Sequence, residues 1–314
     1  MAKDHYVAQT YLRKFGIEGQ DGLVNVVRKS NLQKLDAIPV NSICSEKNWS
    51  TNKFFPNNPR IVEEFLGAFE PKWTECVQQI SSDAYDATTK YLMAGYLAYL
   101  RMCTPTAVRL GTSGLADIVK DVYDKLEDKE LGKPDFKYRE VIETIRKHGG
   151  TKVDVDPHYP TAMGISNLIS IQKVFATSPW IVFRNETPVQ LLTSDNPVCL
   201  QYHNTGFADF YCPLTPHLAI VIHPVKEPKA EDVDYVAGFK LEGVERMNTL
   251  VVQSAGDLVI YNKFDDAQNF VSSYQNWRVE LQITKIPVER GNLILHQQRP
   301  VKVALSDLKD TAHV

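Results

Sequence analysis

Imidazole, amide and guanidinium groups recur at helical spacing near the start of the chain, in His5-Tyr-Val-Ala-Gln9-Thr-Tyr11-Leu12-Arg13-Lys-Phe15. On a helix His5, Gln9 and Arg13 share one stripe, while Ala8, Tyr11, Leu12 and Phe15 cover the adjoining face. A polar row beside a core-facing row is a way to deliver side chains to a half-buried pocket. Further along, Glu63 and Glu70 lie on nearly one azimuth of a second helical pattern, where carboxylates bind a divalent cation, act as acid and base, or pair with arginines. Arg101, Pro105 and Arg109 put two guanidinium forks around a proline, a pattern suited either to gripping an anion or to tying helices together. In Thr193-Ser194-Asp195-Asn196-Pro197 the proline pushes Asn196 out of helical geometry and fixes a turn. Asp195 then projects from a strand end, to hold a ligand or to close local backbone hydrogen bonds.

Weaker candidates complete the set. Cys212-Pro-Leu-Thr-Pro216 with His217 reads as a strand-to-turn junction without a recognisable base for the thiol. His158, His203 and His223 stand beside turn prolines or polar loops and read as surface histidines. No phosphate loop, dinucleotide fingerprint, H-E-x-x-H or G-x-S-x-G motif occurs, which disfavours phosphate-loop NTPases, a dinucleotide fold, zinc proteases and α/β-hydrolases.

These side chains need a scaffold, and the periodicity describes one. The pattern predicts a helix over the opening motif, a strand at 23–28, an irregular stretch over 30–57 and a long helix from Pro59. Further helices are expected at 84–102, 115–126, 136–147 and 161–176, with a charged, solvated connector at 127–134. From Trp180 the pattern turns to short strands at 180–183, 189–193, 207–212, 218–222 and 257–261, with helices at 243–254 and 265–274 and a less regular tail. Helices first and strands later predict an α+β fold, a mostly helical first half packed on a mixed, largely antiparallel sheet from the second half, with the first helix folded back on that sheet. We read 1–314 as one domain, helix-rich over 1–176 and strand-rich over 177–314.

Composition narrows the class. Of 314 residues 43% are hydrophobic and 23% charged, values of an ordinary globular chain. A net charge of -3 argues against a diffuse nucleic-acid-coating surface, so any polyanion must meet a few focused arginines. Five scattered cysteines without a C-x-x-C pair read as reduced thiols. No signal peptide or apolar run of membrane-spanning length is visible, and the expected location is the cytoplasm, without membrane association.

The opening motif, Glu63-x-x-Leu66 with Glu70, Arg101 to Arg109, Thr193 to Pro197, Pro213-Leu214-Thr215-Pro216 and Asn248 together resemble an uncharacterised, mainly microbial family, domain of unknown function 4238. Ala8 stands where that family more often has proline, and Asp257 near a place where an arginine is expected. The resemblance implies a shared fold and polar set, Asn248 included, and no activity.

Two functional readings follow. The first is an enzyme in which His5, Gln9, Glu63, Glu70 and Asp195 form a catalytic cleft and Arg13, Arg101, Arg109, Asn196 and Asn248 bind substrate. Glu63, Glu70 and Asp195 would hold Mg²⁺ or Mn²⁺ for hydrolysis of a phosphodiester in RNA, DNA or a nucleotide. Asp195→Ala or His5→Ala is then expected to abolish activity with little change in stability. No nucleotide cofactor is expected. The second is a non-catalytic module binding a small anion, nucleotide or protein partner, its carboxylates serving to hold its arginines. A buried salt-bridge network that merely organises the fold is the third possibility.

Overall fold

The computed structural model describes residues 3–133, 135–203, 208–224, 234–288 and 291–304. The opening motif divides where sheet pairing competes with helix formation. Strand β1 (Lys3–His5) pairs antiparallel with β4 (Ser45–Lys47), and helix α1 (Gln9–Leu12) begins only after Ala8, closing in a 3-10 turn at Arg13–Phe15. The expected continuous helix is thus corrected: His5 is a strand residue and does not share a helical stripe with Gln9 and Arg13. Strands β2 (Leu23–Arg28) and β3 (Lys34–Pro39) follow, and the first of these matches expectation.

The long helix expected from Pro59 is two helices. α2 (Ile61–Phe69) gives way at Glu70–Lys72 to a 3-10 turn holding Pro71, and α3 (Trp73–Ser81) resumes. Proline lacks the N–H an uninterrupted helix needs, which breaks the stripe that would have aligned Glu63 with Glu70. Helix α4 (Ala87–Met102) starts on a capping box made by Asp86 and Thr89. α4 ends at Met102 as expected, and Pro105 occupies the first turn of α5 (Pro105–Leu131), capped by Thr104, whose hydroxyl accepts from Ala107 N–H. The connector over 127–134 is also corrected. Glu127 to Leu131 is helical, with Glu127 buried against Arg146 of α6 (Arg139–Lys147) at 2.7 Å, and Pro134 lies outside the described residues.

Helix α7 (His158–Thr177) lies along α4, and the contact depends on Gly164, where a β-carbon would come 2.8 Å from the Met102 carbonyl oxygen. The remaining elements are β5 (Trp180–Arg184), β6 (Thr193–Ser194), β7 (Cys199–Tyr202), β8 (Ala208–Thr215), β9 (Leu218–Ile222), β10 (Tyr235–Gly238), α8 (Leu241–Ser254), β11 (Leu258–Tyr261), α9 (Ala267–Ser272), β12 (Trp277–Val288) and β13 (Gly291–Lys302). Expected strand 189–193 shrinks to Thr193–Ser194, because the segment before it is fixed by side chains rather than by a ladder. Phe207, at the start of another expected strand, lies outside the described residues. The tail expected to be irregular is a long antiparallel hairpin, β12 with β13.

The fold is α+β with a mixed sheet. One sheet has the order β10-β5-β9-β8-β7, antiparallel apart from the parallel β10–β5 pair, and a second has the order β3-β2-β11-β6. α1 does fold back on the strands: the Tyr11 hydroxyl donates to the Pro213 carbonyl at 2.7 Å and lies 2.6 Å from Thr193 Oγ1. Tyr11, Trp73 and Tyr96 pack ring against ring at the centre of the larger core, and the Tyr96 hydroxyl accepts from Ala8 N–H at 2.7 Å. A second core gathers α8 residues Val244, Val251 and Val252 on Val259 and Tyr211. Among the described residues no helix is long and apolar enough to cross a membrane.

Candidate functional site

The turn from α8 into β11 is built around one carboxylate. Asp195, next after β6, is buried; its Oδ1 accepts from Gly256 N–H at 2.8 Å and its Oδ2 from Asp257 N–H at 2.7 Å and Leu258 N–H at 3.0 Å. Burial pushes the Asp195 carboxyl above its ordinary range while the three amides pull against it. Gly256 suits this closeness: a β-carbon there would sit 3.1 Å from Asp195 Oδ2 and 3.2 Å from Thr106 Oγ1, so that these neighbours would have to give by a few tenths of an ångström. Asn196 continues the clamp, donating from Nδ2 to the Ser254 carbonyl at 2.9 Å. Asn248, fully buried on α8, accepts from Leu192 N–H and donates to the Gln190 carbonyl, both at 2.9 Å. These three residues of the sequence-derived set position backbone.

Beside that turn lies a cavity of about 280 Å³, lined among others by Ser45, Glu46, Thr106, Arg109, Asp195 and Arg278. Three elements converge on it: the β1–β4 edge, the start of α5, and the α8–β11 turn walled by β12. Arg28 also lines it, pairing with Asp257 at 2.9 Å, and so provides a guanidinium beside the aspartate that stands where the family pattern led us to expect an arginine. Arg109 donates to Glu280 Oε1 at 2.9 Å and to the Val279 carbonyl at 2.5 Å; burial draws its pKa down, Glu280 opposing. Glu280 also pairs with Arg278. Lys29, wholly buried, donates to the Ala255 carbonyl at 3.0 Å and the Trp277 carbonyl at 2.5 Å. Its burial lowers the pKa to about 8, with Asp195 and Asp257 acting to raise it. Cys44, at the cavity wall, holds a left-handed backbone with φ of 50°, a strained setting for a residue with a side chain.

Of the residues singled out in the sequence, Asp195 and Arg109 line this cavity together with Pro105 and Asp257, whereas His5, Gln9, Arg13, Glu63, Glu70, Arg101, Asn196 and Asn248 do not. His5 comes nearest in register, facing Ser45 across β1–β4. Among the described residues its buried Nε2 meets no hydrogen-bond partner, nor does Ser45 Oγ, and burial lowers the His5 pKa. Arg13, exposed, donates to Gln9 Oε1 at 3.4 Å, one turn away on the same segment. Glu63 is exposed and lies 3.7 Å from Arg60. Glu70 is half-buried, and burial, with Glu63 nearby, raises its pKa to about 7. Arg101 pairs with Gln298 of the hairpin, burial lowering its pKa to about 10.

The expected metal set of Glu63, Glu70 and Asp195 does not assemble. The one group of three metal-ligating side chains found among the described residues is elsewhere, at His203, Asp209 and His223. Asp195, with both oxygens committed to amides, has a structural task that the expectation of unchanged stability on its removal overlooks. His203 and His223 are exposed, as expected of surface histidines, yet both touch Asp209, at 2.6 and 2.5 Å. Cys212 and His217 form no dyad: the buried Cys212 thiol faces the Pro213 carbonyl, burial raises its pKa, and His217 Nδ1 lies 3.3 Å from the Asn185 carbonyl.

Sequence reasoning missed Arg28, Lys29, Ser45 and Arg278. A lysine directly after the strand pattern Leu23 to Arg28 and before a turn was the one available signal, because strand ends seldom bury an ammonium group without use for it.

Comparison with known proteins adds a family. The sequence profile described as a protein of unknown function (DUF4238) matches residues 3–265. No curated protein and no solved structure matches the chain.

Proposed function

The chain belongs to the DUF4238 family, and from the geometry of its cavity we propose that it binds a small phosphate-bearing anion of mononucleotide size. The observation that carries this reading is the convergence of Arg28, Arg109 and Arg278 with the start of α5 on one hollow of about 280 Å³. Guanidinium forks match phosphate oxygens two at a time, and the start of α5 adds the positive end of its helix dipole. Asp257 and Glu280 hold Arg28 and Arg109 in place. The guest therefore meets side chains already ordered, which lowers the entropic cost of binding. The volume lies at the small end for ligand sites, which favours a mononucleotide over a strand of nucleic acid.

Phosphodiester hydrolysis in the same hollow is the second reading, favoured by Ser45 in its wall and by His5, which lies outside the lining and faces Ser45 across β1–β4. Their unpartnered buried atoms offer a hydroxyl and an imidazole that its lowered pKa keeps neutral near pH 7. Mg²⁺ or Mn²⁺ belongs to this reading as an ion brought in with the guest's phosphate, Glu46 being the cavity carboxylate not already bound to backbone or arginine.

Calorimetric titration of the full chain with AMP and with inorganic phosphate, in EDTA and in Mg²⁺, tests both. Chelator-independent AMP binding that Arg109→Ala weakens at least about tenfold supports the binding reading. Turnover of bis(p-nitrophenyl) phosphate only with Mg²⁺ or Mn²⁺, lost in Ser45→Ala, supports the second. Absence of heat with either anion, together with absence of turnover, overturns both.

A further inference from the structure

The two imidazoles on Asp209 come from neighbouring strands by sheet register. β7 pairs with β8 so that Gln201 faces Asp209 and Tyr202 faces Ala208, and β8 pairs with β9 so that Phe210 faces Ile222. Continuing the second register by one residue sets His223 opposite Asp209, while His203, two beyond Gln201, becomes its diagonal neighbour. Opposite and diagonal positions share a face of the sheet and lie within reach of an imidazole. His223 Nδ1 lies 2.5 Å from Asp209 Oδ1 and His203 Nε2 lies 2.6 Å from Asp209 Oδ2, and the three ligand atoms are all within 4.8 Å of one another.

The environment sorts these groups. Asp209 is 7% exposed, and among the described residues its carboxylate meets the two imidazoles and no lysine or arginine. Both histidines are exposed, so the side of the group away from the sheet is open to solvent. An inward carboxylate flanked by two outward imidazoles is a ligand set with two nitrogens and one oxygen, leaving further coordination positions for water or another molecule.

We infer that His203, Asp209 and His223 form a binding site for a divalent transition ion of the Zn²⁺ kind, separate from the arginine-lined cavity. Nitrogen donors select such an ion over Mg²⁺ or Ca²⁺, which take oxygen. Neighbouring ligand atoms on one tetrahedral zinc sit about 3.3 Å apart. The imidazole nitrogens therefore move away from the Asp209 oxygens by about 0.7–0.8 Å on loading, a shift within reach of exposed side chains. Asp209, anchored within β8, stays put.

The test uses the full-length chain, stripped with chelator, then titrated with ZnCl₂ by calorimetry and with CoCl₂ by visible absorption. One equivalent of either ion is expected, with cobalt ligand-field bands. His203→Ala and His223→Ala should each weaken binding at least about tenfold and the double variant should remove the bands. Both side chains are exposed, so thermal melts by circular dichroism should match wild type in the absence of metal. Asp209→Asn serves as a third arm where it folds. Absence of binding in the wild type, or unchanged affinity and stoichiometry in the double histidine variant, overturns the site and leaves a hydrogen-bonded His–Asp–His group alone.

Discussion

Replacing Asp195 by alanine should unfold the turn it organises rather than merely empty a cavity wall. The carboxylate satisfies three backbone donors, those of Gly256, Asp257 and Leu258. A buried donor left without an acceptor costs about 1–3 kcal/mol. Asp195 borders the cavity, so water can reach some of the vacated amides; the net loss is then about 3–5 kcal/mol, a large part of the roughly 5–15 kcal/mol that holds a typical fold together. Asp195→Asn keeps one oxygen for Asp257 and Leu258 but turns an amino group toward Gly256 N–H, for a loss of about 1–2 kcal/mol. Urea unfolding followed by circular dichroism should rank wild type above Asn above Ala, with the midpoint falling and the slope unchanged. An alanine variant within about 0.5 kcal/mol of wild type would refute the assignment of this carboxylate to backbone.

Glu70, its pKa raised by burial to about 7 from an ordinary 4.5, keeps its proton in the folded chain over a range in which the unfolded chain ionises. Stability should therefore fall as pH rises from about 4.5 to 7, and Glu70→Gln should flatten that slope in urea titrations run across the window. Lys29 works in the other window: its pKa is depressed to about 8 from 10.5, so stability should rise between about pH 8 and 10.5, an effect absent in Lys29→Met if that variant folds. Asn248→Ala strands Leu192 N–H and the Gln190 carbonyl and should cost about 2–4 kcal/mol by the same unfolding measurement. Tyr11→Phe, losing the bond to Pro213, should cost about 1–2 kcal/mol, and no change in melting would argue against that buried hydroxyl's role.

Periodicity carried the architecture well where packing follows local pattern. Val62, Leu66, Phe69, Trp73, Val77 and Ile80 are all buried as their spacing demands, although Pro71 splits their helix. It failed at the opening motif, where pairing of Lys3 to His5 with β4 overrides helical spacing. The hairpin was legible in principle: Trp277, Val279, Leu281 and Ile283 alternate with polar residues in the period of a strand. Prolines at 287 and 300 obscured it. Asp195 was placed correctly at a strand end, yet its partners lie more than sixty residues away, and no local rule names them. The same holds for His203, Asp209 and His223, whose meeting is a matter of which strand lies beside which.

The family match stops at residue 265, before the hairpin begins at Trp277. Arg109 belongs to the matched stretch, but both of its anchors, the Val279 carbonyl and Glu280, come from β12. An arginine of the family-matched stretch thus takes its position in this chain from a strand that lies beyond that stretch.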